Sequence, residues 1–161
     1  MTTCAFTGHR NIKYGHKAGL VHLLSVAVSS AYDKGCRRFI AGGAVGFDTL
    51  AAREVLRFRI SHPDVSLILF LPCFDQDAGW GERQRDSFEY ILSQADEVKY
   101  ISETYDRECM KRRNQAMAEE CDMMIAYVGH QRSGSSQTLR FATSLGKECI
   151  NLYDEFEKSS F

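Results

Sequence analysis

Three glycines crowd into five positions at Gly42, Gly43 and Gly46, and an acid, Asp48, follows two residues later. The stretch "IAGGAVGFDTLAA" ends an apolar run and opens a helical pattern. Glycines there free the backbone to turn and bare its amides. A helix start adds unpaired N–H groups and a partial positive charge. Together these features suit an anion, most often a phosphate, with Ala44 in the same turn. The spacing G-G-x-x-G departs from the dinucleotide fingerprint G-x-G-x-x-G, so no nicotinamide cofactor is implied. Asp48 has two readings, a cap complementing the helix dipole or a contact to a ribose.

Three more junctions carry chemistry. In "TGHR", Gly8 loosens the backbone, His9 can stack or hydrogen-bond, and Arg10 offers a planar fork to a phosphate. In "VGHQRSGSSQT", Gly129 and Gly134 have the spacing of a Walker A loop, but Ser135 replaces its lysine. The charge that steadies a γ-phosphate is missing, which disfavours ATP or GTP hydrolysis. Ser133, Ser135 and Ser136 still offer hydroxyl and backbone donors. In "LPCFDQDAGW", Phe74 and Trp80 could stack on a base and Gln76 or Asp77 could read polar edges; equally, Trp80 could open the core face of its helix.

One helix breaks its own pattern. In "RECMKRRNQAMAEEC", Met110, Met117 and Cys121 form an apolar stripe, and Arg113 and Asn114 fall on the same side. A polar pair facing inward needs a partner, either a carboxylate of the fold or a ligand.

These junctions need elements to hold them. Buried-strand patterns run over 3–8, 37–43, 65–72, 96–101, 122–129 and 148–153, the fourth nearest an edge. Helical stripes lie between them, for example Leu20, Leu23, Leu24, Ala27, Val28 and Ala31. Further helices are predicted around Trp80–Leu92, 106–121 and Ser135–Leu145, the last ended by Gly146. Strand and helix alternate throughout, so the expected fold is α/β: one Rossmann-like three-layer domain over 1–153 with a mostly parallel sheet of five to six strands. A polar tail, 154–161, is expected to fray.

Composition narrows the classes. The net charge is -1 over 161 residues, which argues against a nucleic-acid partner. No apolar run reaches the roughly 20 residues that cross a bilayer, and the N-terminus lacks a signal-peptide pattern. The expectation is a cytoplasmic protein without a membrane partner. Six cysteines and five histidines show no paired metal spacing, so no metal is expected.

The four motifs taken together, "TGHR" at 7–10, "GGAVGFDTLAA" at 42–52, "RNQAM" at 113–117 and "SGSSQTLRFA" at 133–142, resemble the Rossmann-like SLOG superfamily, and within it the YpsA-like proteins. That superfamily includes the DNA-processing protein DprA and the LOG phosphoribohydrolases. The resemblance implies a nucleotide or ADP-ribose-like ligand in the crevice, with no other cofactor. It also implies a catalytic role for Arg113 should the protein be a nucleotide N-glycosidase, because LOG enzymes carry an arginine there. Where LOG enzymes have Leu-Glu-Glu after the glycine loop, this chain has Ser136, Gln137 and Thr138. The missing carboxylate removes the anion that would support cleavage of the N-glycosidic bond. A nucleotide-binding sensor or regulatory module without efficient turnover is therefore favoured over the hydrolase. For the hydrolase, Asp48, Asp75, Asp77 or Glu82 would have to supply the charge. LOG relatives often dimerise, so the resemblance makes a homodimer an expectation.

Overall fold

The structure is a computed structural model describing residues 1–158. Strands β1 (Thr3–Gly8), β2 (Arg38–Ala41), β3 (Ser66–Leu71), β4 (Glu97–Tyr100), β5 (Met123–Tyr127) and β6 (Glu148–Asn151) form one sheet in the order β4-β3-β2-β1-β5-β6. Each neighbouring pair is parallel. Ala5 sits level with Ile40 on one side and Met124 on the other, which places β1 near the middle. The α/β expectation holds, and so does the edge position of the fourth strand.

Helices α1 (Lys17–Asp33), α2 (Phe47–Ser61) and α3 (Glu82–Gln94) cross over on one face. Their apolar stripes, Leu20, Leu24 and Val28 on α1 with Ala51 and Val55 on α2, meet Phe6, Phe39 and Leu69 of the sheet. Helices α4 (Cys109–Glu120) and α5 (Gly134–Ser144) cover the other face. The core there is smaller: Met117, Ala118 and Ala142 against Ala5, Ile40 and Phe70. Each fully buried leucine or valine contributes about 1.5–3 kcal/mol relative to exposure.

Several boundaries differ from the sequence reading. Trp80 lies before α3 rather than inside it. Met110 is 42% exposed, off the apolar stripe expected of α4, while Met117 and Cys121 are buried. The polar tail expected from 154 contains a short helix, α6 (Tyr153–Lys158). Its Phe156 stacks on His16 with ring centroids 3.9 Å apart, and that aromatic contact anchors the segment. Residues 159–161 of that tail lie outside the described residues.

The chain lays β2, β3 and β4 outward from β1, then crosses beneath the sheet through α4 to place β5 on the other side of β1. The loops leaving β1 and β5 therefore diverge to opposite faces. Open α/β sheets bind ligands in the crevice this creates, outside the carboxyl ends of the strands.

Candidate functional site

The segment after β1 is tied down on both sides. The His9 amide donates to the Tyr127 carbonyl (3.2 Å), and the Phe47 amide donates to the His9 carbonyl (3.1 Å). Gly8 is glycine because a Cβ would run into the Phe47 ring. The Gly129 amide donates to His9 Nε2 at 2.8 Å. That nitrogen must accept, so a neutral His9 carries its proton on Nδ1, which meets Ser135 Oγ at 3.3 Å. Burial lowers the His9 pKa and favours this neutral form. Arg10 is exposed, and its side chain has no ion pair among the described residues.

The glycine-rich turn after β2 does something other than the sequence suggests. Gly43 and Gly46 have φ of 73° and 82°. A Cβ on Gly46 would collide with the Arg10 carbonyl, and one on Gly43 would lie 2.5 Å from Leu71. A Cβ on Gly42 would lie 2.7 Å from Arg113 Nη1 and 2.9 Å from Asp48 Oδ2. The glycines thus admit the chain's own groups. Two amides of the turn are used within the protein: the Ala44 amide donates to Asp48 Oδ2 at 3.3 Å, and the Phe47 amide is spent on His9. Asp48 does not cap α2, whose N-cap is Gly46 without a side-chain bond.

Asp48 and Arg113 are both buried, 7% and 6% exposed. Arg113 donates through Nη1 to the Gly42 carbonyl and, at 3.4 Å, to the Phe70 carbonyl; Nε donates to Asn114 Oδ1 at 2.7 Å. So Arg113 bonds to its neighbour Asn114 and to the Gly42 and Phe70 carbonyls. Burial pushes the Asp48 carboxyl up to about 6, although the Arg113 charge and the Ala44 amide pull the other way. Burial also depresses the Arg113 pKa, with Asp48 opposing it.

Helix α5 opens on a reciprocal serine box with Ser133 as its N-cap. Ser133 Oγ accepts from the Ser136 amide (3.1 Å), and Ser136 Oγ accepts from the Ser133 amide (2.8 Å). This reciprocal box leaves the amides of Gly134 and Ser135 without a partner among the described residues, at the positive end of the helix.

These parts enclose a cavity of about 300 Å³. Gly8, His9 and Arg10 line it from β1, and Ala44 and Asp48 from the glycine turn. Arg113 and Asn114 line it from α4, Ser133, Gly134 and Ser135 from α5, and Trp80 closes one side. Trp80 also packs edge-on against Phe88, at 5.4 Å. Gly42, Gly43, Gly46, Gly129 and Ser136 are not on the wall. Gly129 faces a neighbouring depression with Lys13 and Tyr153, and Ser136 faces another with Arg132 and Arg140. Phe74 is also elsewhere, stacked on Tyr100 at 3.9 Å. Asp75, Asp77 and Glu82 do not reach the wall either. Sequence reasoning did not assign Phe6, Thr7, Met110 or Met117 to it. Phe6 and Thr7 precede Gly8 on the strand, which was signal enough to find them.

Among the described residues no three His, Cys, Asp or Glu side chains gather as a metal site, and no helix is long and apolar enough to cross a membrane.

Comparison with known proteins gives both relatives and a fold. The YpsA family model, described as the YspA SLOG family, matches residues 4–153. A UPF0398 protein of Bacillus thuringiensis (strain Al Hakam) is 32% identical over 126 residues, 77% of this chain and 68% of that protein. A UPF0398 protein of Bacillus cereus (strain AH187) matches to the same extent. DNA processing protein A from Helicobacter pylori, described for its single-stranded DNA binding mode, superposes with a TM-score of 0.66 at 20% identity, covering 92% of this chain and 63% of that one. The protein TM1055 superposes with a TM-score of 0.59 at 14% identity, covering 100% of this chain and 83% of that one. At such identities the two structures share the fold.

Proposed function

Because the chain belongs to the YspA SLOG family, we propose that its cavity binds a nucleotide or an ADP-ribose-like derivative, and that the protein acts as a sensor or regulatory module without efficient turnover. The observation that carries this reading is the presence of two unlike sets of groups on one cavity wall. One set is Arg10 and the two unspent amides of α5, donors suited to a phosphate. The other is Trp80, Met110 and Met117, an apolar surface for a base. The phosphate belongs at α5 and not on the glycine turn, whose Ala44 amide Asp48 already holds. A volume near 300 Å³ is at the small end for a ligand pocket, in keeping with a mononucleotide portion held inside. Calorimetry with AMP, ADP and ADP-ribose tests the proposal. Saturable binding is expected, and no binding at millimolar ligand overturns it.

One observation favours a second reading, hydrolysis of the N-glycosidic bond of a nucleoside 5′-monophosphate. Asp48 is the one carboxylate on the cavity wall among the described residues, so it alone of the four candidates could face the positive charge that builds on the sugar as the base departs. Arg113 beside it would then be catalytic. Release of free base from AMP by the wild type, lost in Arg113→Lys, supports this reading; no release over hours counts against it.

Net charge alone does not exclude a single-stranded nucleic acid. Depressions adjoining the cavity carry Lys13 on one side and Arg107 and Lys111 on the other, and DNA processing protein A shares this fold. A salt-sensitive gel shift with an oligonucleotide would establish that partner. A homodimer, the remaining proposal, is tested by light scattering.

A further inference from the structure

Asp48 is a buried acid with too few donors. Its Oδ2 accepts a single bond, from the Ala44 amide at 3.3 Å. No other donor among the described residues bonds to either oxygen. Arg113 stands beside it but spends Nη1 on the Gly42 and Phe70 carbonyls and Nε on Asn114. Arg10, Gln76 and Ser135 line the same cavity, yet none bonds to it. An ionised carboxylate has room for several donors, and leaving them unmade in a buried site is costly. Among the described residues no buried side-chain oxygen or nitrogen lacks a partner, so the free oxygen of Asp48 is not sealed inside the protein but opens onto the cavity it lines.

The chemistry of the wall selects what can fill that vacancy. A phosphate is repelled by the acid and has its own donors at α5 and Arg10. A cationic amine would sit beside the Arg113 guanidinium and within the influence of Arg10, both of which act on Asp48. A neutral group with two adjacent O–H donors matches two acceptor oxygens and avoids both conflicts. We infer that Asp48 accepts the hydroxyls of the ligand's ribose, and that the cavity therefore selects ribonucleotides over 2′-deoxyribonucleotides. This rests on the nucleotide reading above and adds to it which part of the ligand lies deepest.

The hydroxyl-to-carboxylate bond is of the charged class, about 1.5–3 kcal/mol, so its loss weakens binding about 10- to 100-fold. The experiment is calorimetry at pH 7.5 with AMP, 2′-deoxy-AMP and IMP on the wild type and on Asp48→Asn, with circular dichroism confirming the fold. The expected result is 2′-deoxy-AMP binding at least tenfold weaker than AMP, IMP binding like AMP, and a ribose preference that collapses in Asp48→Asn. Equal affinity for AMP and 2′-deoxy-AMP overturns the inference while leaving the nucleotide reading intact. A preference that follows the amino group of AMP over IMP also overturns it, because the acid would then be reading the base. Failure of every nucleotide to bind overturns both. Should Asp48→Asn not fold, the wild-type ratio alone decides.

Discussion

Two aspartates stand at opposite ends of the same sheet and live under opposite conditions. Asp122, just before β5, accepts from the amides of Thr2 (2.8 Å) and Thr3 (2.9 Å) and from Thr2 Oγ1 (3.1 Å). It ties the entry of β5 to the entry of β1, and those bonds hold its carboxyl below the usual range. Asp96 does the same before β4, accepting from the Leu67 amide at 2.8 Å and from Arg59 at 2.7 Å. Asp48, at the carboxyl ends, is far more buried, has one long bond, and is pushed up to about 6. The entry edge spends its acids on closing the sheet. The exit edge keeps one acid, one fork and two amides unspent, which is how a fold of satisfied strands leaves room for a guest.

The sharpest way to break this contrast is Arg113→Ala. It removes the donors to Gly42 and Phe70 and strands Asp48 as an uncompensated buried charge. Leaving a buried carboxylate and two buried carbonyls without the guanidinium that acts on them costs about 3–5 kcal/mol, read here by urea unfolding at pH 7.5. Adding Asp48→Asn should recover part of the loss, because the Arg113 charge acts on Asp48. A loss under 1 kcal/mol would mean that Arg113 is not part of a buried electrostatic unit.

The next largest effect is in the pH dependence of Asp48. The folded carboxyl keeps its proton to about pH 6, against 3.8 for an ordinary aspartate. Between those values the native state binds more protons than the unfolded one, so stability falls as pH rises through the window and stays lowered above it. At 1.36 kcal/mol per unit the swing is on the order of 3 kcal/mol. Measured as wild type minus Asp48→Asn, unfolding free energy should decline from pH 4 to pH 7. A flat difference would show that Asp48 is not a strained acid.

Asp122→Asn should tilt the opposite way and by less. Its depressed pKa means a contribution present at neutral pH and lost as pH falls through the folded value. The side chain is exposed, so solvent screening leaves on the order of 1 kcal/mol at pH 7. Comparing the melting temperatures of the variant and the wild type at pH 7 and pH 3 reads it. A variant whose deficit grows on acidification contradicts the latch.

The fold was legible because its signals are local. The run "SLILFL" spells a strand covered on both faces, and the Leu20, Leu24, Val28 spacing spells a helix side. The four junctions were legible for the same reason, and residues of each line one cavity. What escaped was whatever depends on a distant partner. Gly42 looked bare for a ligand, yet the groups it admits include Arg113, 71 residues on. Phe156 looked like part of a polar tail, yet it stacks on His16 from the far end of the chain. Met110 fell on the right helical face but at the first turn of α4, beside the cavity mouth, where the layer beneath it ends. Periodicity tells which side of an element is apolar; it does not tell where the neighbouring element stops.

The smallest expected change in stability belongs to Arg10, and it separates folding from recognition most cleanly. Its side chain is exposed and pairs with no acid among the described residues, so Arg10→Ala should leave the unfolding midpoint unchanged within about 0.5 kcal/mol. The backbone is another matter, since the Arg10 carbonyl is packed against Gly46 and does not change in the variant. What the substitution removes is a cationic fork on the wall of the cavity that Gly134 and Ser135 also line. AMP should therefore bind about tenfold more weakly to the variant, in line with the loss of one charge-assisted contact, while adenosine should bind both proteins alike. If adenosine weakens as much as AMP, Arg10 holds the base or sugar and the phosphate lies elsewhere on the exit edge. If neither changes, Arg10 is not used, and the division between a spent entry edge and an unspent exit edge loses its functional meaning.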